Sequence, residues 1–304
     1  MVHAPAFRLP DPGPFAVDEA FVDTAAVAAR ALPNEIRAAV RAFAADPDPD
    51  GVLLLRGLPV GSVAPTPVDP LGGPGDDHTS ELALLAVATL LGEPVGYAQE
   101  HGGGLVQHIV PARDTEARQV STSSAVTLAW HTETAFHPHK PRYLLLLCVR
   151  GDPSAGTLLC SIARCLPHLD APTIATLRKP RFRTRPDESF LEPGTEGELG
   201  APMAVLSGAD DRTFTYDEDL MVGIDPGAQA ALDRLGAVVR DHASTIVLET
   251  GDLLIVDNHR VVHGRTSFAA RFDGTDRWLQ RAFVVSDLRP SAGERAGRII
   301  TTRF

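Results

Sequence analysis

Short apolar runs crowd the chain beyond about residue 125. AVTLAW, YLLLLCV, GTLLCSI, FRTRP, MAVLS, RTFTYD, STIVLE, DLLIVDN, RVVHGRTSF and RWLQRAFVV follow one another, each bounded by polar or turn-forming residues, and each predicts a β-strand. Strands this short and this frequent predict a sandwich or a closed barrel. The pattern before them is different. From about Asp18 to Ala45 the chain is rich in Ala at helical spacing, with a break predicted at Pro33. GVLLLRGLPV, from Gly51, predicts a strand, and SELALLAVATLLG predicts a helix with Ser80 as N-cap and Gly92 at its end. Two further helices are expected near 164–178 and 226–243. Residues 61–79 are dense in Pro, Gly and Asp and read as a surface loop. DESFLEPGTEGELGAP, from Asp187, has the composition of a mobile loop, and in an enzyme it is a lid candidate over 187–201.

Composition narrows the function. With 304 residues, 44% of them hydrophobic, the chain can bury a sizeable core. The expected organisation is one domain over 1–304, a helical part (about 15–92) packed on a β core (about 93–290). A formal net charge of -11 argues against nucleic acid and anionic membrane as partners. The three cysteines, Cys148, Cys160 and Cys165, form neither a disulfide framework nor a CxxC pair, which points to the cytoplasm. The proline-broken start MVHAPAFRLPDPGPF does not read as a signal peptide, and the longest apolar stretch, Tyr143 to Val149, is too short to cross a bilayer. Oligomeric state is not encoded in any of these features.

Three features carry candidate chemistry. His131-Thr132-Glu133 follows VTLAW, and in a strand positions i and i+2 share a face, so an imidazole and a carboxylate project side by side. A second His from another strand would complete a three-cornered set with open positions for a cosubstrate and dioxygen on iron. The pair alone is a weak signal in a chain with 11 His. DLLIVDNHRVVHGRTSF offers His259 or His263, and Gly264 favours His263 by permitting close approach. Arg277 lies fourteen residues beyond His263, after an Asp273-Gly274 turn; a hairpin there would return the chain beside the His263 strand and bring Arg277 to the same site. A buried Arg requires an anion, and a dicarboxylate supplies one. Arg281, four residues on, shares its face and could meet a second carboxylate, although an exposed edge-strand charge is the bland alternative.

Taken together, WHTETAFHPHKPRYLLLLCVRG, GTLLCS, TYDEDLM, VDNHRVVHGRTSF and DGTDRWLQRAFV resemble the clavaminate synthase-like, TauD-like branch of the Fe(II)/2-oxoglutarate oxygenases, and within it the hydroxylases of free amino acids of the arginine and asparagine type. The resemblance runs from about Gly96 to Asp287 in order and spacing. It implies a mainly β fold with flanking helices around a double-stranded β-helix, the cupin-like jelly roll. It implies that His131, Glu133 and His263 hold Fe(II), that Arg277 with Thr157 holds 2-oxoglutarate, and that O2 is consumed. It places Asp217 at the polar end of the substrate side chain, Arg281 at the α-carboxylate, and Glu100 and Ser121 near the amino and carboxyl groups. The implied reaction is hydroxylation at the β or γ carbon of a polar L-amino acid such as arginine, citrulline or a carbamoyl analogue, asparagine or lysine, in secondary-metabolite (antibiotic) biosynthesis. Arginine hydroxylases of this kind carry a second acid two residues before the Asp217 position; here it is Thr215, which favours a neutral donor, although Asp219 could stand in.

The same ligands serve a desaturase. Glu133 argues against a halogenase, in which a small non-ligating residue opens a place for chloride. Two rivals come from other classes. A non-catalytic binding barrel has no need of the full ligand set together with Arg277. A zinc hydrolase of the zincin type would carry HExxH, which this chain lacks.

Overall fold

A computed structural model describes residues 1–304 apart from 12–16, 47–49, 73–76, 193, 196 and 209–212. Parts of the expected 61–79 loop, of the RTFTYD run and of the lid candidate therefore lie outside the described residues. In chain order the elements begin with β1 (Val2–His3), α1 (Glu19–Ala28), α2 (Asn34–Ala45), β2 (Val52–Arg56), α3 (Thr79–Leu91), β3 (Glu93–Tyr97), β4 (Gln107–Ile109), β5 (Leu128–His131) and β6 (Tyr143–Arg150). They continue with β7 (Gly156–Ser161), α4 (Ile162–Cys165), α5 (Ala171–Leu177), β8 (Phe182–Thr184), β9 (Leu206–Ser207), β10 (Thr213–Phe214), β11 (Met221–Gly223), α6 (Pro226–Asp241) and β12 (Ser244–Val247). The remainder is β13 (Leu253–Asp257), β14 (Val261–Arg265), β15 (Trp278–Val285), β16 (Arg295–Ala296) and β17 (Ile299–Ile300).

Two sheets form the cupin-like jelly roll. The larger has the order β1-β2-β13-β6-β15-β3-β17-β16, with β4 also paired to β15. The smaller has the order β12-β7-β14-β5. The strand alternation explains which faces meet. Leu144, Leu146 and Cys148 of β6, Leu254 and Val256 of β13, and Leu279 and Phe283 of β15 share a cluster with Leu159 and Val261 of the smaller sheet. The intervening residues, Leu145, Leu147, Leu253, Ile255, Ala282 and Val284, cluster instead with α1, α2 and α3. Both faces of the central strands are thus covered, which is why YLLLLCV is apolar without interruption. α3 is apolar all round, and its residues from Ser80 to Ala88 are buried, as a helix held between two other helices and a sheet must be. On the far side of the smaller sheet, Cys160 and Val262 pack with residues of α6.

Pro33 does separate α1 from α2. Two local expectations are corrected. Ser80 is not the N-cap of α3. Asp77 accepts from the Thr79 N–H (3.1 Å), while the buried Ser80 hydroxyl accepts from Gln280 Nε2 (2.9 Å) and bonds Glu81 (3.0 Å). The Asp273-Gly274 turn does not make a hairpin. Both edges of β14 are already taken, by β7 and β5, so the chain crosses to the larger sheet and β15 pairs with β6, β3 and β4. Asp276 holds that crossing by accepting from the N–H groups of Arg271 (2.7 Å) and Phe272 (2.6 Å).

Leu145 is fully buried between the larger sheet and the helical layer. Leu145→Ala is expected to lower unfolding free energy by about 2–5 kcal/mol, read from the midpoint of a urea titration.

Candidate active site

His131 ends β5, and its cross-strand partner on β14 is His263. The two rings are 4.2 Å apart between centroids. Gly264 makes this approach possible: a Cβ there would lie 2.6 Å from the Leu128 carbonyl oxygen. The Nδ1–H of His131 is donated to the Ala129 carbonyl (2.8 Å), which leaves the Nε2 lone pair free to bind a cation. Glu133 Oε2 lies 3.2 Å from His263 Nε2 and 3.9 Å from His131 Nε2. One donor atom from each of the three residues falls within 4.8 Å of the others, a spacing a single metal ion can bridge. Two imidazoles and one carboxylate on one face suit a non-haem iron.

The loop after β5 is held from behind by Asn258. Its Oδ1 accepts from the Glu133 N–H (2.6 Å), and its Nδ2 donates to the carbonyls of Glu133 (3.1 Å) and Pro141 (2.9 Å). Thr134 then takes a positive φ of 48°, turning the chain away. Burial would raise the pKa of Glu133, but the guanidinium of Arg281 and the two imidazoles more than reverse this and keep it ionised. Burial, aided by His131, lowers the pKa of His263 to about 4, so its ring is neutral near pH 7. Arg281 donates to Glu133 Oε1 (2.8 Å) through Nη1, to Gln107 Oε1 (2.8 Å) through Nε, and to Glu100 through Nη2.

His131, Glu133, His263, Glu100 and Arg281 line one cavity of about 660 Å³. Arg277 and Thr157 lie in its wall, both buried. Among the described residues Arg277 makes no direct ion pair, although the charge of Asp152 reaches it, and the Thr157 hydroxyl has no partner. Burial lowers the Arg277 pKa to about 10, still well above neutrality, so a positive charge stands here, felt by the Asp152 carboxylate but in no direct ion pair among the described residues. Arg265, the register partner of Thr157, lies in the same wall and is held by the Ser123 hydroxyl (2.9 Å) and the Val126 carbonyl (3.1 Å). The wall thus fits the distal carboxylate of 2-oxoglutarate.

Asp217 is bridged to His131, and the Thr132 N–H bonds the Tyr216 carbonyl (2.8 Å), so TYDE runs antiparallel beside β5. One Asp217 oxygen accepts from the N–H groups of Asp219 (2.9 Å) and Leu220 (2.7 Å). Glu100 Oε2 is buried with no partner among the described residues. Ser121 is half-buried in the cavity wall. The cavity therefore brings together His131, Glu133, His263, Arg277, Thr157, Asp217, Arg281, Glu100 and Ser121. His259 stays outside: its Nδ1 meets Arg142 (3.0 Å) and it does not line the cavity.

Sequence reasoning missed Asn258, Gln107, Arg265 and Asp187. Asp187, in the lid candidate, also lines the cavity, and burial together with the Asp217, Glu100 and Glu133 carboxylates pushes its pKa well up. Its only sequence signal was its place at the start of the lid candidate.

A jelly roll with two His and one carboxylate on its inner face, beside a buried unpaired Arg, defines the class of iron-dependent oxygenases. Comparison with known proteins agrees. The family model of taurine catabolism dioxygenases (TauD, TfdA family) matches residues 30–283, and the chain belongs to that family. It is 40% identical over 288 residues to L-asparagine oxygenase of Streptomyces coelicolor (91% of this chain, 84% of the relative). It is 38% identical over 291 residues to L-lysine 3-hydroxylase of Catenulispora acidiphila (93% and 81%). The solved asparagine oxygenase with Fe(II), 2S,3S-3-hydroxyasparagine and succinate superposes with a TM-score of 0.88 at 38% identity, covering 93% of this chain and 90% of that one. The protein is an Fe(II)/2-oxoglutarate-dependent oxygenase. Among the described residues, no helix is long and apolar enough to cross a membrane.

Asn258→Asp replaces an amide that donates twice with an acceptor, facing two buried carbonyls. Each buried acceptor left unpaired costs about 1–3 kcal/mol. The variant is expected to melt several degrees lower in calorimetry, even without metal.

Proposed function

We propose that this chain hydroxylates the β or γ carbon of a free L-amino acid whose side chain ends in a hydrogen-bond donor. The reading rests on unfilled polar atoms of opposite sign in one cavity. At one wall, Arg277 and the Thr157 hydroxyl await a carboxylate, the role we assign to the distal group of 2-oxoglutarate. His131, Glu133 and His263 hold the iron. When bound there, iron with 2-oxoglutarate and O2 supplies the oxidising power that exchanges a C–H bond for C–OH as the cosubstrate is decarboxylated to succinate. The protein's own residues orient the amino acid. Glu100 Oε2 accepts from its α-ammonium, and Arg281, with Ser121, receives its α-carboxylate. Asp217 accepts from the end of the side chain.

Asp187 alters the charge argument drawn from Thr215. The Thr215 hydroxyl is engaged by Lys140, and Asp187 brings a second carboxyl to the cavity beside Asp217. Two carboxyl groups kept close in a buried site repel, and a cation between them relieves that repulsion. A lysine-like ammonium or a guanidinium is therefore favoured over a neutral amide. Relatives named for lysine and for asparagine bracket both cases.

His131→Ala, Glu133→Ala and His263→Ala are each expected to abolish turnover and weaken Fe(II) binding, while His259→Ala retains activity. Turnover assays and metal titration of all four variants check this; a dead His259→Ala beside an active His263→Ala would reassign the ligand. Arg277→Ala removes one side of a buried charge pair, worth about 3–5 kcal/mol, and should raise the 2-oxoglutarate KM a hundredfold or more. An unchanged KM would place that carboxylate elsewhere. A side-by-side assay of lysine, arginine, citrulline, asparagine, glutamine and leucine, followed by mass spectrometry, is expected to favour the cationic pair. Asp217→Ala should raise the amino-acid KM by roughly tenfold with little change for 2-oxoglutarate. A preference for leucine, or normal kinetics in Asp217→Ala, would overturn this assignment of the pocket.

A further inference from the structure

A ring from a distant part of the chain closes the aromatic cluster beneath the lid candidate. Phe190, 3% exposed, ends the short 3-10 turn Glu188–Phe190. It packs edge-on against Phe136 (5.0 Å between centroids), Tyr97 (5.7 Å) and Phe304 (6.2 Å). Phe304 also meets Phe136 (4.9 Å) and His137 (5.2 Å). Asp187 opens the same turn, and its carbonyl accepts from the Phe190 N–H (2.9 Å). The segment carrying Phe304 reaches this point along β3: β17 pairs in parallel with Gly96 and Tyr97, the Ala98 N–H bonds the Ile300 carbonyl (2.9 Å), and Gln99 Nε2 bonds the Thr302 carbonyl (2.5 Å). β3 leads directly to Glu100. A single strap of chain, 299–304, thus touches both the strand that delivers Glu100 and the ring that anchors the turn bearing Asp187.

We propose that Phe304 is a positioning residue for the amino-acid site, acting through Phe190 to hold Asp187 at the cavity while its strap keeps Glu100 in register. The inference rests on the roles given above to Asp187 and Glu100. Phe190 also packs on Tyr97 and Phe136, and Phe304 closes that set of rings, whereas the polar tie of the turn is weaker in kind. Glu188 pairs with Arg118, but both side chains are substantially exposed, and such pairs contribute little in water. The edge-to-face contacts of Phe190 lie in the protein interior, where ring pairs contribute beyond their buried area. Phe304 itself is 45% exposed, so its removal leaves the jelly-roll core intact.

The test compares the 304-residue chain with its Phe304→Ala and Phe304→Leu variants. Limited digestion by a glutamyl endopeptidase, without amino acid, reads the turn through cleavage of the Glu188–Ser189 bond. Phe304→Ala should be cut roughly fivefold faster, with Phe304→Leu in between. In turnover, Phe304→Ala should raise the amino-acid KM by a similar factor, leave the 2-oxoglutarate KM unchanged, and form less hydroxylated product per succinate. Unchanged cleavage, or an equal rise in both KM values, overturns the proposal. If the wild-type chain hydroxylates none of the amino acids in the panel, the substrate reading fails. Faster cleavage of Phe304→Ala still supports the anchor in that case, and unchanged cleavage still overturns it.

Discussion

Arg281 is a charge taken out of water and surrounded by Glu133, Glu100 and Gln107. Burying a guanidinium is costly unless its donors are met, and here one planar fork meets groups from three separate stretches of chain. Glu133 belongs to the loop after β5, Glu100 follows β3, Gln107 begins β4, and Arg281 sits in the middle of β15. The interaction ties the larger sheet to the triad. It also fixes a protonation state: with two carboxylates so close and so deeply buried, loss of the guanidinium would force one of them to take up a proton. A neutral Glu133 would no longer complete a two-imidazole, one-carboxylate set.

Around that hub the site divides by sign. Arg277 and Arg265 bring guanidinium groups to the cavity wall, while Glu100, Asp187 and Asp217 bring carboxyl groups to the same cavity. A barrel interior can keep such groups because strand alternation assigns each residue to the cavity or to the core. Arg281 shares the inner face of β15 with Leu279 and Phe283, while Gln280, Ala282 and Val284 face the helices. None of the described residues of α1, α2 and α3 lines the cavity, yet these helices allow the central strands to be apolar on both faces.

Strand positions and the triad were legible because both depend on short-range pattern. A period of two places His131 beside Glu133, and a run such as DLLIVDN announces β13 wherever it pairs. What was missed depends on pairing. A turn signal tells where the chain bends but not which edge is vacant, so β15 was placed beside β14 although β7 and β5 already flank that strand. Ser80 has the chemistry of a cap, but a partner two hundred residues away, Gln280, claims its hydroxyl. β4 and β11 are three residues each and are set by their neighbours rather than by their own composition. Asn258 and Gln107 carry no signal alone, because an amide becomes informative only when the groups it joins are known.

Gly264 has a consequence for how this protein can change over generations. The spacing of the two imidazoles is set by how closely β5 and β14 approach, and the Leu128 carbonyl occupies the space a side chain at 264 would need. A lineage could conserve all three donor residues and still lose the centre through one added methyl group. Inheritance of the centre therefore depends on a fourth position, one that offers no donor atom and matters through the absence of a side chain.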